Sequence, residues 1–130
     1  MSFTHTVTKS VITASGVVSD VSAQYTGSGT IEIDEVVADA ATDFEVVASI
    51  DVSAVQSFIV ISDKAVTLET NSGSVPDDTL VLVANKAYQW DTGSYNTFLL
   101  VSADITSIFF TNASGSDANI KIRCVLDTTP

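Results

Sequence analysis

Short runs of alternating apolar and polar residues recur along this chain, separated by clusters of Gly, Asn, Asp and Ser. Their spacing of roughly ten residues is typical of β-sandwiches and barrels. No segment sustains the 3.6-residue period of an amphipathic helix, and the abundant Val, Ile and Thr fit a pleated, half-buried surface. The pattern therefore predicts an all-β fold, an antiparallel β-sandwich of about nine or ten strands.

Four segments carry much of the predicted core. Residues 30–34 alternate cleanly, with two isoleucines facing inward and two acids facing solvent. Residues 57–61 (S-F-I-V-I) are almost continuously apolar, which predicts a strand buried on both faces. Residues 98–101 are also predicted to be a core strand, and residues 120–126 form the last strand, with Ile, Ile, Cys and Leu facing inward.

The stretch from residue 66 to residue 90 reads as strand, polar connection, strand, tight turn and aromatic strand. Pro76 belongs in the polar connection, because it restricts its own φ and the preceding residue and cannot donate a hydrogen bond to a ladder. In the aromatic strand, Tyr88 and Trp90 are two residues apart and therefore share one face.

The N-terminal segment, residues 1–14, is predicted to be an extended arm or an edge strand, and residues 15–130 form the sandwich domain. Alternation places Phe3, His5, Val7, Lys9 and Val11 on one face of the segment and Thr and Ser residues on the other. Neither face is apolar enough to be a core face. Two interpretations stay open: an edge strand or loose arm of this chain, or an arm that completes the open sheet edge of a neighbouring subunit.

The chain offers little catalytic or metal-binding chemistry. His5 is its only histidine, and a catalytic triad would need that side chain held rigidly by a third group. Cys124 is its only cysteine and falls at an inward position, where a thiol behaves as a small hydrophobic group. A zinc site needs three or four Cys or His ligands, and no glycine-rich phosphate-binding motif is present. We predict no enzyme activity and no catalytic, cofactor-binding or metal-binding residues.

Carboxylates are the one plentiful functional group, and they form two candidate clusters: Asp34-Glu35 with Asp39 and Asp43, and Asp77-Asp78. An Asp-rich loop can supply the oxygen ligands of calcium, and a glycosidase needs two facing carboxylates. Alternation places Asp34 on a solvent face, and the second cluster follows a proline in a turn. We therefore interpret the two clusters as solvated surface and turn residues, and we do not favour a calcium site or a hydrolytic site.

Three aromatic residues, Tyr88, Trp90 and Tyr95, come close together around a predicted loop. Carbohydrate-binding sandwiches present aromatic platforms of this kind, so a glycan-binding or receptor-binding module is the rival hypothesis. A core tryptophan beneath a surface loop explains the same pattern, and aromatic residues are also enriched at protein–protein interfaces.

The net charge is −11, from 16 acidic and five basic residues. Nucleic acid and anionic membrane surfaces are disfavoured as partners, because both bind proteins through Lys and Arg. The acids are scattered, which favours solubility. No apolar run approaches the ~20 residues of a membrane helix. No signal peptide is recognisable and no intrachain disulfide is possible, so we expect folding in a reducing cytoplasm.

Three segments resemble small virion proteins of tailed bacteriophages and their prophages. They are residues 70–90 (TNSGSVPDDTLVLVANKAYQW), residues 31–34 (IEID) after a Gly-Ser-Gly loop, and residues 111–123 (TNASGSDANIKIR). The similarity spans about residues 25–126 and consists of turn-and-strand patterns. It implies a jelly-roll-like β-sandwich that acts on the capsid surface of the virion, as a capsid decoration (cement) protein or a similar head component.

Such proteins tend to be homotrimers seated between capsomers. The resemblance therefore implies the major capsid protein as partner and a homo-oligomer, with a trimer favoured. The alternative is a glycan- or receptor-binding module of a fibre or tail. Six residues are the predicted partner interface: Phe3, His5, Val7, Tyr88, Trp90 and Tyr95.

Overall fold

A computed structural model describes residues 2–128, except for the side chains of residues 17–21. Within these residues lie ten strands: β1 (Phe3–Thr13), β2 (Gly16–Gly27), β3 (Gly29–Val37), β4 (Phe44–Ile50), β5 (Val55–Ser62), β6 (Val66–Thr70), β7 (Thr79–Leu82), β8 (Tyr88–Asp91), β9 (Ile105–Thr111) and β10 (Ala118–Leu126). A 3-10 turn, Val52–Ala54, directly precedes β5. No helix in the described part of the chain is long and apolar enough to cross a membrane.

Eight of the strands build two four-stranded sheets, sheet I with the order β3-β10-β5-β8 and sheet II with the order β4-β9-β6-β7. In the segment from β3 to β10, the strands pair from its two ends inward. β3 pairs with β10, β4 with β9, β5 with β8 and β6 with β7, all antiparallel. A long hairpin rolled into two sheets in this way is a jelly roll. The predicted antiparallel sandwich and its jelly-roll arrangement are confirmed.

The core lies between the two sheets. Sheet I contributes Phe58 and Ile122, and sheet II contributes Leu68 and Phe110, all of them fully buried. Their positions follow from the two-residue period of a strand, which sends every second side chain inward. No residue of β5 is exposed, which confirms the prediction of a strand buried on both faces.

The predicted strand at residues 98–101 is wrong, because this segment belongs to the loop between β8 and β9. Phe98 and Leu100 are buried, while Leu99 and Val101 are exposed. The ring of Phe98 packs against Phe58, with centroids 5.3 Å apart. The loop therefore alternates like a strand because it covers the core, although it forms no ladder of its own among the described residues.

The first strand is half of a hairpin. β1 pairs antiparallel with β2 from Phe3 opposite Gly27 to Thr13 opposite Gly16, and these two strands are called the N-terminal hairpin below. Gly16 has a φ of +125°, which the tight turn requires and other residues rarely adopt. The predicted boundary at residue 14 falls in this turn, so the arm expected from the sequence is one strand of a longer projection.

Candidate interaction surface at the N-terminal hairpin

The base of the N-terminal hairpin crosses the outer face of sheet I. Val125, Ser57 and Asp91 form one row across β10, β5 and β8, and all three are buried although they lie on that outer face. Gly27 lies against Val125, and Nδ1 of His5 is hydrogen-bonded to Oγ of Ser57 at 3.2 Å. The hairpin therefore replaces solvent above this row.

Asp91 anchors the hairpin to the sheet. Its carboxylate has no solvent exposure and accepts hydrogen bonds from Nε2 of Gln89 at 2.9 Å and from the Gly93 amide at 2.8 Å. The Tyr25 hydroxyl also bonds to it, and Nζ of Lys9 lies 3.4 Å from Oδ2. Burial alone would raise the pKa of Asp91, but these contacts lower it below its usual value. One buried carboxylate thus joins β1, β2 and β8.

The tip of the hairpin projects beyond this anchor. Lys9 is the last β1 side chain with a described hydrogen bond or ion pair to the sandwich. Residues 10–16 are all exposed, and among them Val11 is 54% and Ile12 is 72% accessible. Two apolar side chains are thus exposed at the end of the projection.

Two adjoining depressions flank the hairpin base. The first, of about 660 Å³, is a groove between β1 and the next outer-face row of sheet I, formed by Arg123, Ile59 and Gln89. The second, of about 590 Å³, lies beside the loop that follows β8. Lys9 and Gln89 line both, so the two depressions form one continuous surface.

The structure gathers five of the six predicted interface residues around this surface. Phe3, His5 and Val7 are half-buried on the hairpin face that looks toward sheet I, and the last two line the groove. The second depression is lined by the three aromatic residues Tyr88, Trp90 and Tyr95. Phe3 lies apart from both, at the hairpin base opposite Gly27.

The aromatic residues of β8 hold the following loop in place. The Trp90 ring stacks on Phe98, with centroids 4.9 Å apart and an angle of 24°. Its Nε1 donates to the Asn96 carbonyl at 2.8 Å, and the Tyr88 hydroxyl accepts from the Leu99 amide at 3.0 Å. Both side chains therefore make structural contacts with the loop that follows β8. Tyr95, in contrast, presents its whole ring to solvent.

Acidification will weaken the docking of the hairpin base through His5. Burial lowers the pKa of His5 below its usual 6.5; the Glu32 charge opposes this effect and the Arg123 charge adds to it. The undocked state therefore binds the proton more readily than the docked state. The contribution of His5 to docking stability is therefore complete above pH 6.5. It is lost as the pH falls from 6.5 toward the lowered pKa of His5.

Amide hydrogen exchange in β1 measures this effect, and its protection should fall between about pH 7.5 and about pH 5. In His5→Asn, which keeps a polar partner for Ser57 but cannot titrate, the protection should stay level over this interval. Asp91 does not interfere with this measurement. Because its pKa is lowered, the stabilisation from its carboxylate is lost only at more acidic pH. Equal pH dependence in both proteins would contradict the assignment.

The carboxylate clusters of the sequence are dispersed in the structure. Asp34 accepts two hydrogen bonds from Arg123, at 3.0 Å each. Asp77 accepts from Nδ2 of Asn71 at 2.7 Å, and Asp78 accepts two hydrogen bonds from the loop between β8 and β9. Among the described side chains, no group of three or more His, Cys, Asp and Glu could hold a metal ion.

Cys124 is fully buried on the inner face of β10. Burial raises the pKa of its thiol to about 12, because the charged thiolate is poorly solvated there. The thiol is therefore protonated at neutral pH and packs as a small hydrophobic group.

Sequence reasoning missed the anchor. The sequence pattern predicts only a loop after Trp90, and Asp91 followed two residues later by Gly93 indicates a turn within it. Nothing local indicated that Tyr25 or Lys9 would reach this carboxylate, because they lie far from it along the chain.

The fold and this surface define a jelly-roll domain with an N-terminal hairpin docked on one sheet. No protein family matches the chain, and no curated protein matches it. Among solved structures it is similar to a protein from work on the disulfide-linked pili of Bacillus endospore appendages. That similarity has a TM-score of 0.32 and 10% identity, and it covers 75% of this chain and 89% of the other. The virion role stays a prediction.

Proposed function

We propose that this protein is a structural, non-enzymatic component of a bacteriophage virion, a capsid decoration protein that stabilises the head through protein–protein contacts. Its partners would be the major capsid protein and further copies of itself, on the capsid surface. Nucleic acid and membranes would not be partners. The sequence resemblance supplies the virion setting for this proposal.

The observation that carries a binding role is the docked hairpin with a projecting tip. Its base is held by Asp91 and Ser57, while Val11 and Ile12 are exposed beyond it. A rigidly anchored projection loses little conformational entropy on binding, which favours assembly. Jelly rolls recur in viral capsid proteins, but one fold serves many functions, so the hairpin supports the proposal more strongly than the fold does.

The net charge of −11 agrees with a partner of opposite sign. A basic surface on a shell subunit would attract this domain and speed its encounter, and salt would weaken that attraction. A protein present in many copies also gains solubility from such a charge before it assembles.

Capsids from a phage that lacks this gene provide the direct test. We expect purified protein to sediment with these capsids and to raise their resistance to heat. Capsids whose sites are already occupied are the control and should take up no more protein. If the protein sediments equally poorly with both preparations, the decoration role is wrong.

The second depression favours one alternative, a glycan- or receptor-binding module of a fibre or tail. Its lining includes Tyr88, Trp90 and Tyr95, and jelly rolls also occur in lectins. Because Trp90 stacks on Phe98 and its Nε1 is bonded within the chain, Tyr95 is the ring best placed to receive a sugar.

Replacing Tyr95 by alanine separates the two functions. The side chain is fully exposed, so the free energy of unfolding should change by no more than about 0.5 kcal/mol. On a glycan array we expect no specific signal from either the intact protein or Tyr95→Ala. A sugar bound by the intact protein and lost in Tyr95→Ala would favour the alternative.

A further inference from the structure

β1 has a free edge that lacks most of the usual protection against strand pairing. The N-terminal hairpin is a separate two-stranded sheet, so the side of β1 away from β2 is unpaired in the described structure. The strand is eleven residues long and contains no proline, glycine or acidic residue. Edge strands are commonly protected by charged residues, especially Lys, by proline or by bulges. In β1 the one lysine, Lys9, is paired with Asp91, and the bulge comes only at Val11 and Ile12. The edge before it is therefore open to another strand.

A groove of about 660 Å³ lies directly beside this edge. Its wall is β1 from Thr4 to Lys9, and its floor is the row of Arg123, Ile59 and Gln89 on sheet I. Val7 and Ile59 are both half-buried and give the groove an apolar centre. An extended strand that hydrogen-bonds to β1 would lie in this groove, with alternate side chains facing Ile59.

Charge limits which strand of this chain could occupy the groove. Glu32 and Asp34 lie beside it, close to His5 and Arg123, and Asp91 lies at its Lys9 end. Lys9 and Arg123 line the groove, but they are already paired with Asp91 and Asp34. A strand rich in carboxylates would therefore find no unpaired Lys or Arg in the groove lining and would be repelled by Glu32. The first acidic residue of the chain is Asp20, so β1 carries none of the 16 acids and one of the five basic residues. β1 of a second copy therefore complements the groove.

The exposed tip gives the geometric reason for antiparallel pairing. The sandwich lies beneath the base of β1, up to Lys9, and the tip extends past it. If two β1 strands run antiparallel around an axis near Thr8, each tip lies over the base of the other hairpin and the two sandwiches stay apart. Val11, now 54% exposed, then lies opposite the partner's His5 and diagonally beside its Val7, at the edge of the apolar centre of the groove.

We propose that β1 pairs antiparallel with β1 of a second copy across a two-fold axis, each hairpin tip lying in the groove of the other. The contact is isologous, since both copies use the same surface. The inference rests on the proposed function in taking the hairpin as an assembly element, and it names the first partner. It yields a dimer, in place of the trimer that the resemblance implies.

Single-cysteine variants test the pairing without any capsid. Thr6, Thr8 and Ser10 are exposed on the outer face of β1, and the native thiol of Cys124 is buried and protonated. Directly opposite residues of antiparallel strands have Cα atoms about 4.5–5.5 Å apart, within disulfide reach. Mild air oxidation of Thr6→Cys, Thr8→Cys and Ser10→Cys should give a covalent dimer that peaks sharply at one of them.

Ser22→Cys is the matched control, because Ser22 lies opposite Thr8 on the same exposed face but belongs to β2. It should stay monomeric on oxidation. Equal cross-linking of Ser22→Cys and the β1 variants, or none in any of them, would overturn the proposal.

A reversible measurement removes any dependence on oxidation. Light scattering should show a dimer of the intact protein at high micromolar concentration. Thr8→Asp should weaken dimerisation about fivefold or more, since it places two carboxylates near each other across the axis. Ser22→Asp should dimerise like the intact protein. A strictly monomeric intact protein would refute the pairing even if it binds capsids, and a dimer that ignores capsids would refute only the decoration role.

Discussion

Replacing Asp91 by alanine will lower the free energy of unfolding by about 3 kcal/mol and release the hairpin base from sheet I. The carboxylate is completely buried, and its loss strands the Gln89 amide, the Gly93 amide and the Tyr25 hydroxyl without an acceptor. An unsatisfied donor costs about 1–3 kcal/mol when it is buried. Here Gln89 and Tyr25 are only half-buried and Gly93 is exposed, so water reduces the cost of each. Urea unfolding measures the loss, and hydrogen exchange in β1 reports the release.

Two further variants show whether the carboxylate itself is responsible. Asp91→Asn keeps the shape and one acceptor oxygen. Its free energy of unfolding should therefore lie between that of the intact protein and that of Asp91→Ala. Lys9→Met should cost less than about 1 kcal/mol, because the Lys9 side chain is 51% exposed and its ion pair is screened by solvent. If Lys9→Met costs as much as Asp91→Ala, the ion pair outweighs the buried hydrogen bonds and the assignment is wrong.

Gly27→Ala will destabilise the protein by about 2 kcal/mol, because there is no space for a methyl group where the hairpin meets β10. A Cβ at this position would lie against the Leu126 carbonyl group, 2.6 Å from its carbon, and 2.8 Å from Cγ1 of Val125. The first neighbour is backbone and cannot move aside without bending β10. The hairpin base must lift, so hydrogen exchange should increase in both β1 and β2 while the core of sheet II stays protected.

Gly29→Ala is the control for this prediction. A Cβ there meets only Cβ of Leu126, at 4.0 Å, which is an ordinary contact. Both substitutions reduce the freedom of the unfolded chain alike, so the difference between them isolates the steric clash. We expect Gly29→Ala to change the free energy of unfolding by no more than about 0.5 kcal/mol. Similar unfolding curves for the two variants would show that the hairpin base can adapt.

The strands of the sandwich were predictable because the two-residue period and burial agree there. Residues 30–34 and 120–126 alternate sharply, and a shift of one residue would turn their apolar side chains to solvent. The pairing of β3 with β10 was not predictable in the same way. It joins the two ends of the jelly roll, and no local signal in either strand states which partner it takes. Residues 98–101 were wrongly predicted to be a strand. Their side chains alternate between buried and exposed, but within the described residues their backbone does not pair with another strand.

The candidate surface was predictable only in outline. Alternation placed Phe3, His5 and Val7 on one face, and the structure keeps them together, half-buried toward sheet I. The second strand of the hairpin had a weaker pattern, because both faces of a projecting hairpin are polar or half-covered and burial imposes little period. Asp91 was out of reach because its partners come from three separate elements. The burial of this charge depends on tertiary contacts, which cannot be predicted from the spacing of residues along one strand.

The row of Val125, Ser57 and Asp91 also sets an order of folding. An isolated two-stranded hairpin is only marginally stable in water, although it forms within about 1–10 μs. Sandwiches dominated by distant strand pairs fold in milliseconds to seconds. The platform that receives the hairpin exists only after β10, β5 and β8 have come together. The hairpin therefore takes its lasting form last, and β1 becomes a firm edge only once the jelly roll of its own chain is complete.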